Sequence, residues 1–263
     1  TTIGKDSSVA AGKNGKSETL SGKEYEGAYI GATADETVFM VSAGIAAGGS
    51  AGVNGAVNTL VTSDDIYIDV TDTNLSAAED LELEAIGNTH VVNVAGGLGA
   101  GGGAAAGASV VTQVMDKSVS IRADEGSLIA ENGDVKIHAG AKDDLRVAAV
   151  NGGVGGSAAV AVGTIVNIVK NKISSFIGGI IKGKNVTVEA KEDLKNKTGV
   201  GAVAVGGAAA VVPAVSVNYL EGKTAAKLLS DTEIKTGSLK VNAESKENVT
   251  TNVIGAGASG MMA

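Results

Sequence analysis

Adjacent carboxylates are the residues of this sequence best suited to catalysis, and they occur as Asp64-Asp65, Glu79-Asp80 and Asp143-Asp144. A glycosidase needs two carboxyl groups that face each other across a cleft, with one of them in an apolar pocket. Carbohydrate sites also use aromatic rings that stack on sugars, and this chain has two Phe, four Tyr and no Trp. A β-helical polysaccharide-acting enzyme is therefore kept only as an alternative, with Asp64 and Asp144 as the carboxylates to replace.

Four aspartates that lie close together in the sequence are the best candidates for a metal site. Asp64, Asp65, Asp69 and Asp72 could together bind a hard cation such as Ca²⁺ through their carboxylate oxygens. Their spacing matches neither an EF-hand loop nor the glycine-rich nonapeptide repeat. We therefore interpret them as solvated turn residues that protect the sheet from edge pairing, and we predict no metal site.

The two histidines and the glycine-rich motifs do not form a recognisable site either. His138 lies in the polar phase of a repeated strand, where we expect it to be solvated, and His90 lies in a loop-like turn. One histidine alone makes neither a catalytic triad nor a zinc site. Segment 97–102 satisfies G-x-G-x-x-G but is followed by more Gly and Ala, not by a helix and an acidic residue. The segment 222–224 resembles the end of a phosphate loop, but Val217 replaces the glycine that such a loop needs. We predict no catalytic or cofactor-binding residue, and no enzymatic activity.

The composition excludes several classes of protein. The absence of cysteine rules out disulfides, thiol nucleophiles and thiolate metal sites. The net charge of −8 disfavours nucleic-acid binding, which needs clustered Lys and Arg. Because aromatic residues are few, a core must be built from Val, Ile, Leu and Ala in thin layers. Residues 1–30 are polar and contain no apolar secretion signal, so we expect either a cytosolic protein or a piece of a longer chain.

Two independent sequence markers recur with the same period. An alternating apolar and polar segment ends at Ala85, Ala139, Ala190 and Ala243, in steps of 54, 51 and 53 residues. A second marker begins at Asn58, Thr112, Asn167 and Asn218, in steps of 54, 55 and 51 residues. Agreement between the two markers indicates an internal repeat.

Each repeat has a polar half and an uncharged half rich in Gly and Ala. Alternation with period two over four or five residues predicts two short strands in each polar half. The uncharged halves are 37–63, 91–115, 147–169 and 198–220, and small apolar residues on both phases, as in 201–205, predict strands covered on both faces. Stacked repeats would pair every backbone group with the repeat above and below.

The pattern therefore predicts an all-β fold, a β-solenoid of about four repeats of 51–55 residues. The handedness preference of parallel crossovers makes it a right-handed parallel β-helix. We expect 1–34 to be a partial or atypical repeat and 35–263 to be one elongated array. Because the chain stops at Met261 without a partner strand or polar cap, we expect it to be truncated within a repeat.

Long Gly/Ala/Val segments followed by sequences such as Asn185 to Ala190 resemble the repeats of leukotoxin-type filamentous adhesins. The resemblance covers about residues 35–263 and concerns the style of the repeat. It implies a two-partner secretion substrate that is secreted or lies on the bacterial cell surface. It also implies an outer-membrane secretion barrel and a host-cell receptor as partners, and a role in adhesion or leukocyte killing. It brings no catalytic residue and no cofactor.

A membrane-active segment is the main alternative to a structural shaft. The uncharged halves run for 23 to 27 residues, which is long enough to span a bilayer. However, segment 91–115 has seven Gly and six Ala among its 25 residues, and that composition makes a poor helix. Contact with a host membrane is kept as an alternative, and we expect the uncharged halves to be strands.

Overall fold

The computed structural model describes residues 8–11, 16–18 and 24–260. The described residues form an all-β protein with no helix, as the repeat predicts. The strands are β1 Ser8–Ala11, β2 Lys16–Glu18, β3 Glu24–Gly48, β4 Ala51–Asp69, β5 Asn74–Ala77, β6 Asp80–Gly101, β7 Ala104–Ala123, β8 Ser127–Ala130, β9 Val135–Gly155, β10 Ala158–Ile177, β11 Ile180–Gly206, β12 Ala209–Val211, β13 Ala214–Leu228 and β14 Glu233–Ser259.

One repeat forms one coil of a parallel β-solenoid. In the second coil, β6 crosses the molecule, a tight turn at 102–103 leads into β7, which returns, and the short β8 closes the coil before β9 begins. Sheet one contains β3, β6, β9, β11 and β14, and sheet two contains β4, β7, β10 and then β12 with β13. A short third sheet joins β1, β5, β8 and the start of β11.

The alanine marker is a column of the structure. Ala85 pairs with Ala139, Ala139 with Ala190, and Ala190 with Ala243. The column lies on the inward face of sheet one, and Ala85, Ala139 and Ala190 have no exposed surface. In-register stacking of identical small residues lets the ladder run unbroken, so this part of the predicted fold is confirmed.

The second marker is correct in its last step and one residue out of register in the first two. Asn167 pairs with Asn218, as predicted, but also with Gln113 and not with Thr112. Gln113 in turn pairs with Leu60, and the strand around Asn58 is displaced accordingly. Because neighbouring residues here are all small or polar, the sequence similarity of a three-residue marker could not fix the alignment to a single residue.

The strands are long, which corrects the expectation of short strands in each polar half. β6 and β9 pair over 21 residues and β7 and β10 over 20. Each long strand runs from the polar half into the uncharged half without a break, because alternation continues while the side chains become smaller. The two predicted short strands are the ends of long strands in sheets one and two.

The uncharged halves are covered on one face only, which corrects a second expectation. Within 201–205, Ala202 and Ala204 are buried, whereas Val203 is 52% and Val205 45% exposed. The described part of the chain provides two layers and no third one to cover the outer faces. Small apolar side chains on both phases had suggested burial on both sides.

The ladder also begins before residue 35. β3 continues from Glu24 through that boundary, and Gly27 pairs with Asp80 in the same parallel register as the rest of sheet one. Residues 27–34 are thus part of the array. Much of the remaining segment expected to be an atypical repeat, at 1–7, 12–15 and 19–23, lies outside the described residues, as do 261–263.

Glycines on the inward face let the two long sheets approach closely in the uncharged half. A Cβ placed on Gly99 would lie 2.2 Å from the carbonyl oxygen of Ala106 on the facing strand. A Cβ on Gly107 would lie 2.2 Å from the carbonyl oxygen of Gly152. Facing sheets normally pack about 10 Å apart, and here side chains that would keep them at that distance are missing.

Alanine at Gly99 should therefore destabilise the protein by about 1–3 kcal/mol, because the added methyl group overpacks a closed interior. Gly201 is the matched control, since a Cβ there meets nothing within 4 Å. Gly201→Ala should be neutral or stabilising by up to about 1 kcal/mol, since it restricts the unfolded chain. Urea unfolding followed by circular dichroism measures both changes. Equal effects of the two substitutions would contradict the close approach of the sheets.

Candidate interaction surface and interior polar layers

The interior between the two long sheets is divided into layers that follow one another along the strands. An aliphatic cluster that includes Ile68, Leu83, Ile121 and Ile137 lies nearest the short sheet. A second apolar cluster, with Met115 and Leu145 among its members, lies farther along, and small clusters of Val and Ala fill the uncharged end. Two polar layers lie between these clusters, and they are the chemically unusual part of the molecule.

The first polar layer contains a fully buried ion pair. Lys117 Nζ lies 2.5 Å from Asp143 Oδ1, and the two side chains are 1% and 0% exposed. Lys117 also donates a hydrogen bond to the hydroxyl of Thr89 and one of 3.4 Å to the carbonyl oxygen of Gly87. Burial raises the pKa of Asp143, while the charge of Lys117 acts in the opposite direction. Full pairing of both ions is what makes such burial tolerable.

Asn171 extends this layer toward the next coil. Its Nδ2 donates to Asp143 Oδ2 at 2.8 Å and to Glu192 Oε1 at 2.9 Å. The other oxygen of Glu192 accepts hydrogen bonds from Thr224 at 3.1 Å and Ser245 at 2.9 Å. Three successive coils are therefore joined inside the molecule by side chains as well as by backbone ladders. These contacts hold the ions in place and leave the pair inaccessible to solvent, which suits a structural role.

Glu36 occupies the same layer in the first coil and faces Asp64. Partial burial raises the pKa of Glu36, and repulsion by the charge of Asp64 and a hydrogen bond with it raise the pKa further. The Oε2 atom of Glu36 is buried with no hydrogen-bond partner among the described residues. Among the interior side chains of this layer in the described residues, Glu36, Asp64, Asp143 and Glu192 supply acid groups to a single lysine.

Replacing Glu36 with Gln should raise the melting temperature at pH 7 by roughly 1–3 °C. Since the native pKa of Glu36 is raised, the folded state binds the proton more tightly, and the wild-type protein gains stability as pH falls through that pKa. The advantage of Glu36→Gln should therefore shrink between pH 7 and pH 4. Asp65→Asn, on the exposed face of the same sheet as Asp64, is the control. An advantage for Glu36→Gln that does not change with pH would contradict this assignment.

The second polar layer is built from side-chain amides. Asn58 Nδ2 donates to Asn93 Oδ1 at 2.9 Å in the first two coils. Asn167 Nδ2 donates to Asn196 at 3.0 Å and to Asn218 at 3.2 Å in the later coils. Three of these residues, Asn58, Asn167 and Asn218, belong to the second repeat marker. The marker therefore records an interior amide layer.

The adjacent carboxylates are separated by the strands that carry them. Asp143 points inward and is 1% exposed, while Asp144 lies on the outer face, where a hydrogen bond from Arg146 lowers its pKa. Asp64 likewise points inward and Asp65 outward. Side chains that follow one another in a strand project to opposite faces. These pairs are thus not arranged as the facing carboxylates of a glycosidase.

The four candidate calcium ligands are also divided between different surroundings. Asp64 faces the interior, which corrects its interpretation as a solvated turn residue, whereas Asp65 is exposed. Asp69 accepts hydrogen bonds from the backbone and hydroxyl of Thr71, and Asp72 lies in the turn with a φ of 52°. Among the described residues, no group of three or more His, Cys, Asp or Glu is placed to hold a metal ion.

Both histidines lie in strands on the outer face of sheet one. His90 belongs to β6, which corrects its expected place in a loop, and its Nδ1 lies 3.6 Å from Asp144. His138 pairs in register with Glu84 and Glu189, as the repeat predicts. It is less solvated than expected, and burial, followed by the charge of Lys191, lowers its pKa.

The outer face of sheet two carries a broad uncharged surface, which we call the valine face. It consists of the outward residues between the tight turn and the row Ser63, Asp116, Lys170 and Glu221. Register aligns these residues in columns across four coils. None is charged, and the members are Ala51, Val53, Gly55, Val57, Thr59, Val61, Ala104, Ala106, Ala108, Val110, Thr112, Val114, Ala158, Val160, Val162, Thr164, Val166, Ile168, Ala209, Val211, Pro213, Val215, Val217 and Tyr219.

The outer face of sheet one is also apolar near the turn, but it is narrower and less even. Leu98 is 49%, Val150 54% and Val203 52% exposed. They alternate with glycines, since Leu98 pairs with Gly152 and Gly201 with Val150. Charged residues, including Arg146 and Lys197, enter this face closer to the turn than any charge on sheet two. The valine face is therefore the strongest candidate interaction surface.

The comparisons with known proteins identify no relative. No protein-family model matches the chain, and neither does any curated protein or solved structure. Within the described residues there is also no helix of sufficient length and apolarity to cross a membrane. The functional argument therefore rests on the geometry of the coils and their surfaces.

Proposed function

We propose that this chain is a structural segment of a large secreted bacterial adhesin or leukotoxin. In this role it forms part of a β-solenoid shaft that presents host-interacting regions away from the cell. The observation that supports a structural role is the unbroken ladder, in which each long strand pairs over its whole length with the corresponding strand of the next coil. Because every coil closes the face of its neighbour, stability is shared along the axis.

The assignment to a secreted adhesin is supported by the style of the repeat. It brings two proposed partners, an outer-membrane secretion barrel and a host-cell receptor, and a location outside the cell or on its surface. The absence of cysteine agrees with export of an unfolded chain, since no disulfide can form before export. Surface location is tested by treating intact cells of the source bacterium with protease. Loss of the protein from intact cells supports it, and full protection contradicts it.

A shaft segment should not itself bind or damage host cells. Because the chain contains no cysteine, Lys184→Cys provides one exposed attachment point for a fluorescent dye. We expect the labelled chain to show no saturable binding to leukocytes by flow cytometry, with an unrelated acidic protein as control. Binding that unlabelled chain displaces would contradict the shaft role and make this segment an adhesive region. Dye release from liposomes at the same concentrations would contradict it in favour of the membrane-active alternative.

A further inference from the structure

The valine face is large enough to form a stable protein interface. Its strands contribute about twelve residues each, so at ~3.3 Å per residue and ~4.8 Å per coil the face measures roughly 40 by 19 Å. That is about 750 Å², close to the ~800 Å² that each partner buries in a standard interface. Several of its valines are strongly exposed, with Val57 at 68% and Val217 at 49%. Monomeric soluble proteins rarely leave a contiguous apolar surface of this size open to water.

We propose that the valine face pairs with the valine face of a second copy of this chain. The face is flat and built from small side chains stacked in columns at the spacing of the coils. A surface with ridges at this regular spacing is matched best by another surface with the same spacing, as in the dry interfaces of stacked sheets. Shape therefore favours a second copy over an unrelated globular partner.

The charged row beside the valine face fixes how the two copies are arranged. From the first coil to the last it reads Ser63, Asp116, Lys170 and Glu221. A twofold axis parallel to the strands reverses the order of the coils in the second copy. Asp116 of each copy then lies opposite Lys170 of the other. The interface so formed has an uncharged centre and a complementary charged rim, as stable interfaces do.

The next outward row supports the same arrangement. It begins with Asp65 in the first coil and ends with Lys223 in the last, and both are exposed. Reversal of the coil order brings Asp65 of one copy opposite Lys223 of the other. A twofold axis along the stack of coils would instead reverse the strand direction. The charged rows of the two copies would then lie at opposite ends of the interface, with no charges of the other copy facing them.

A lipid bilayer fits the face less well than a second copy. Among the described strands of sheet two, β4 pairs only with β7, and β13 only with β10. Each therefore has an edge of backbone groups that hydrocarbon cannot satisfy, and such edges do not occur inside bilayers. A face-to-face dimer leaves these edges in water.

Sedimentation velocity of the purified chain across a range of concentrations tests the proposal, which does not depend on the shaft role. We expect a wild-type dimer, and at least a tenfold weaker association for the double variant V110K/V166K on the valine face. V150K/V203K, on the outer face of sheet one, is the matched control and should associate as the wild type does. Circular dichroism checks that both variants stay folded.

A charge-reversal experiment separates contacts between copies from contacts within one. Asp116→Lys and Lys170→Asp should each weaken self-association, because each gives a rim of one sign. Mixing the two variants should restore the dimer, since the positive rim of one variant then faces the negative rim of the other. A monomeric wild type would overturn the proposal, whether or not it binds phosphatidylcholine vesicles. Association lost in V150K/V203K but kept in V110K/V166K would overturn it in favour of sheet one.

Discussion

Replacing Lys117 with Met should lower the free energy of unfolding by about 3–5 kcal/mol at pH 7, because Asp143 is then left buried without its counterion. The two side chains are 1% and 0% exposed, so water cannot replace the lost contact. Urea unfolding followed by circular dichroism measures the change. Lys172→Met is the matched control, since Lys172 is exposed on the neighbouring strand, and it should shift the curve by less than about 0.5 kcal/mol.

The double variant Lys117→Met/Asp143→Leu shows whether the loss comes from the unpaired charge. An apolar pair of similar volume often equals or exceeds a buried ion pair in stability. We therefore expect the double variant to recover most of the stability that the single variant loses. A double variant as unstable as Lys117→Met would mean that lost packing, and not the uncompensated charge of Asp143, causes the effect.

Aspartate at Ile137 should lower the free energy of unfolding by more than about 4 kcal/mol, because it buries an unpaired carboxylate in the aliphatic cluster. Ile137 has no exposed surface and pairs in register with Leu83 and Val188. Val188→Asp should act in the same way. Thr187→Asp places the same carboxylate on the outer face one residue away and should be nearly neutral. A melting curve unchanged by Ile137→Asp would contradict the inward position of this residue.

The repeat and the solenoid could be predicted because stacking requires like residues to lie on like residues. The column from Ala85 to Ala243 forms where small inward side chains recur at one position of every coil. The inward phase of Ile137 and Val188 follows directly from period-two alternation. Register within the amide layer was harder to obtain, because Asn58, Gln113 and Asn167 have similar polarity and their neighbours do not distinguish them.

The ionic layer was missed although the sequence contains a signal for it. Counting back in twos from the inward Ile121 and Val119 reaches Lys117, and counting forward from Ile137 reaches Asp143. Phase alone thus places a lysine and an aspartate inside the molecule. Their types had argued for solvent, and only the facing of two sheets shows that one neutralises the other. Exposure of the outer valines could not be predicted either, because alternation does not reveal whether a third layer covers a sheet.

The wide coil has a consequence for how far such a protein could reach. Each coil uses a repeat of 51–55 residues and advances the axis by only ~4.8 Å. A thousand residues of this array would extend roughly 90 Å, whereas an α-helix of that length would extend about 1,500 Å. The cross-section is instead about 70 Å wide, from the 22 residues of β6 at ~3.3 Å each. A longer array would grow as a stiff plank, and each added coil would contribute lateral area more than distance from the cell.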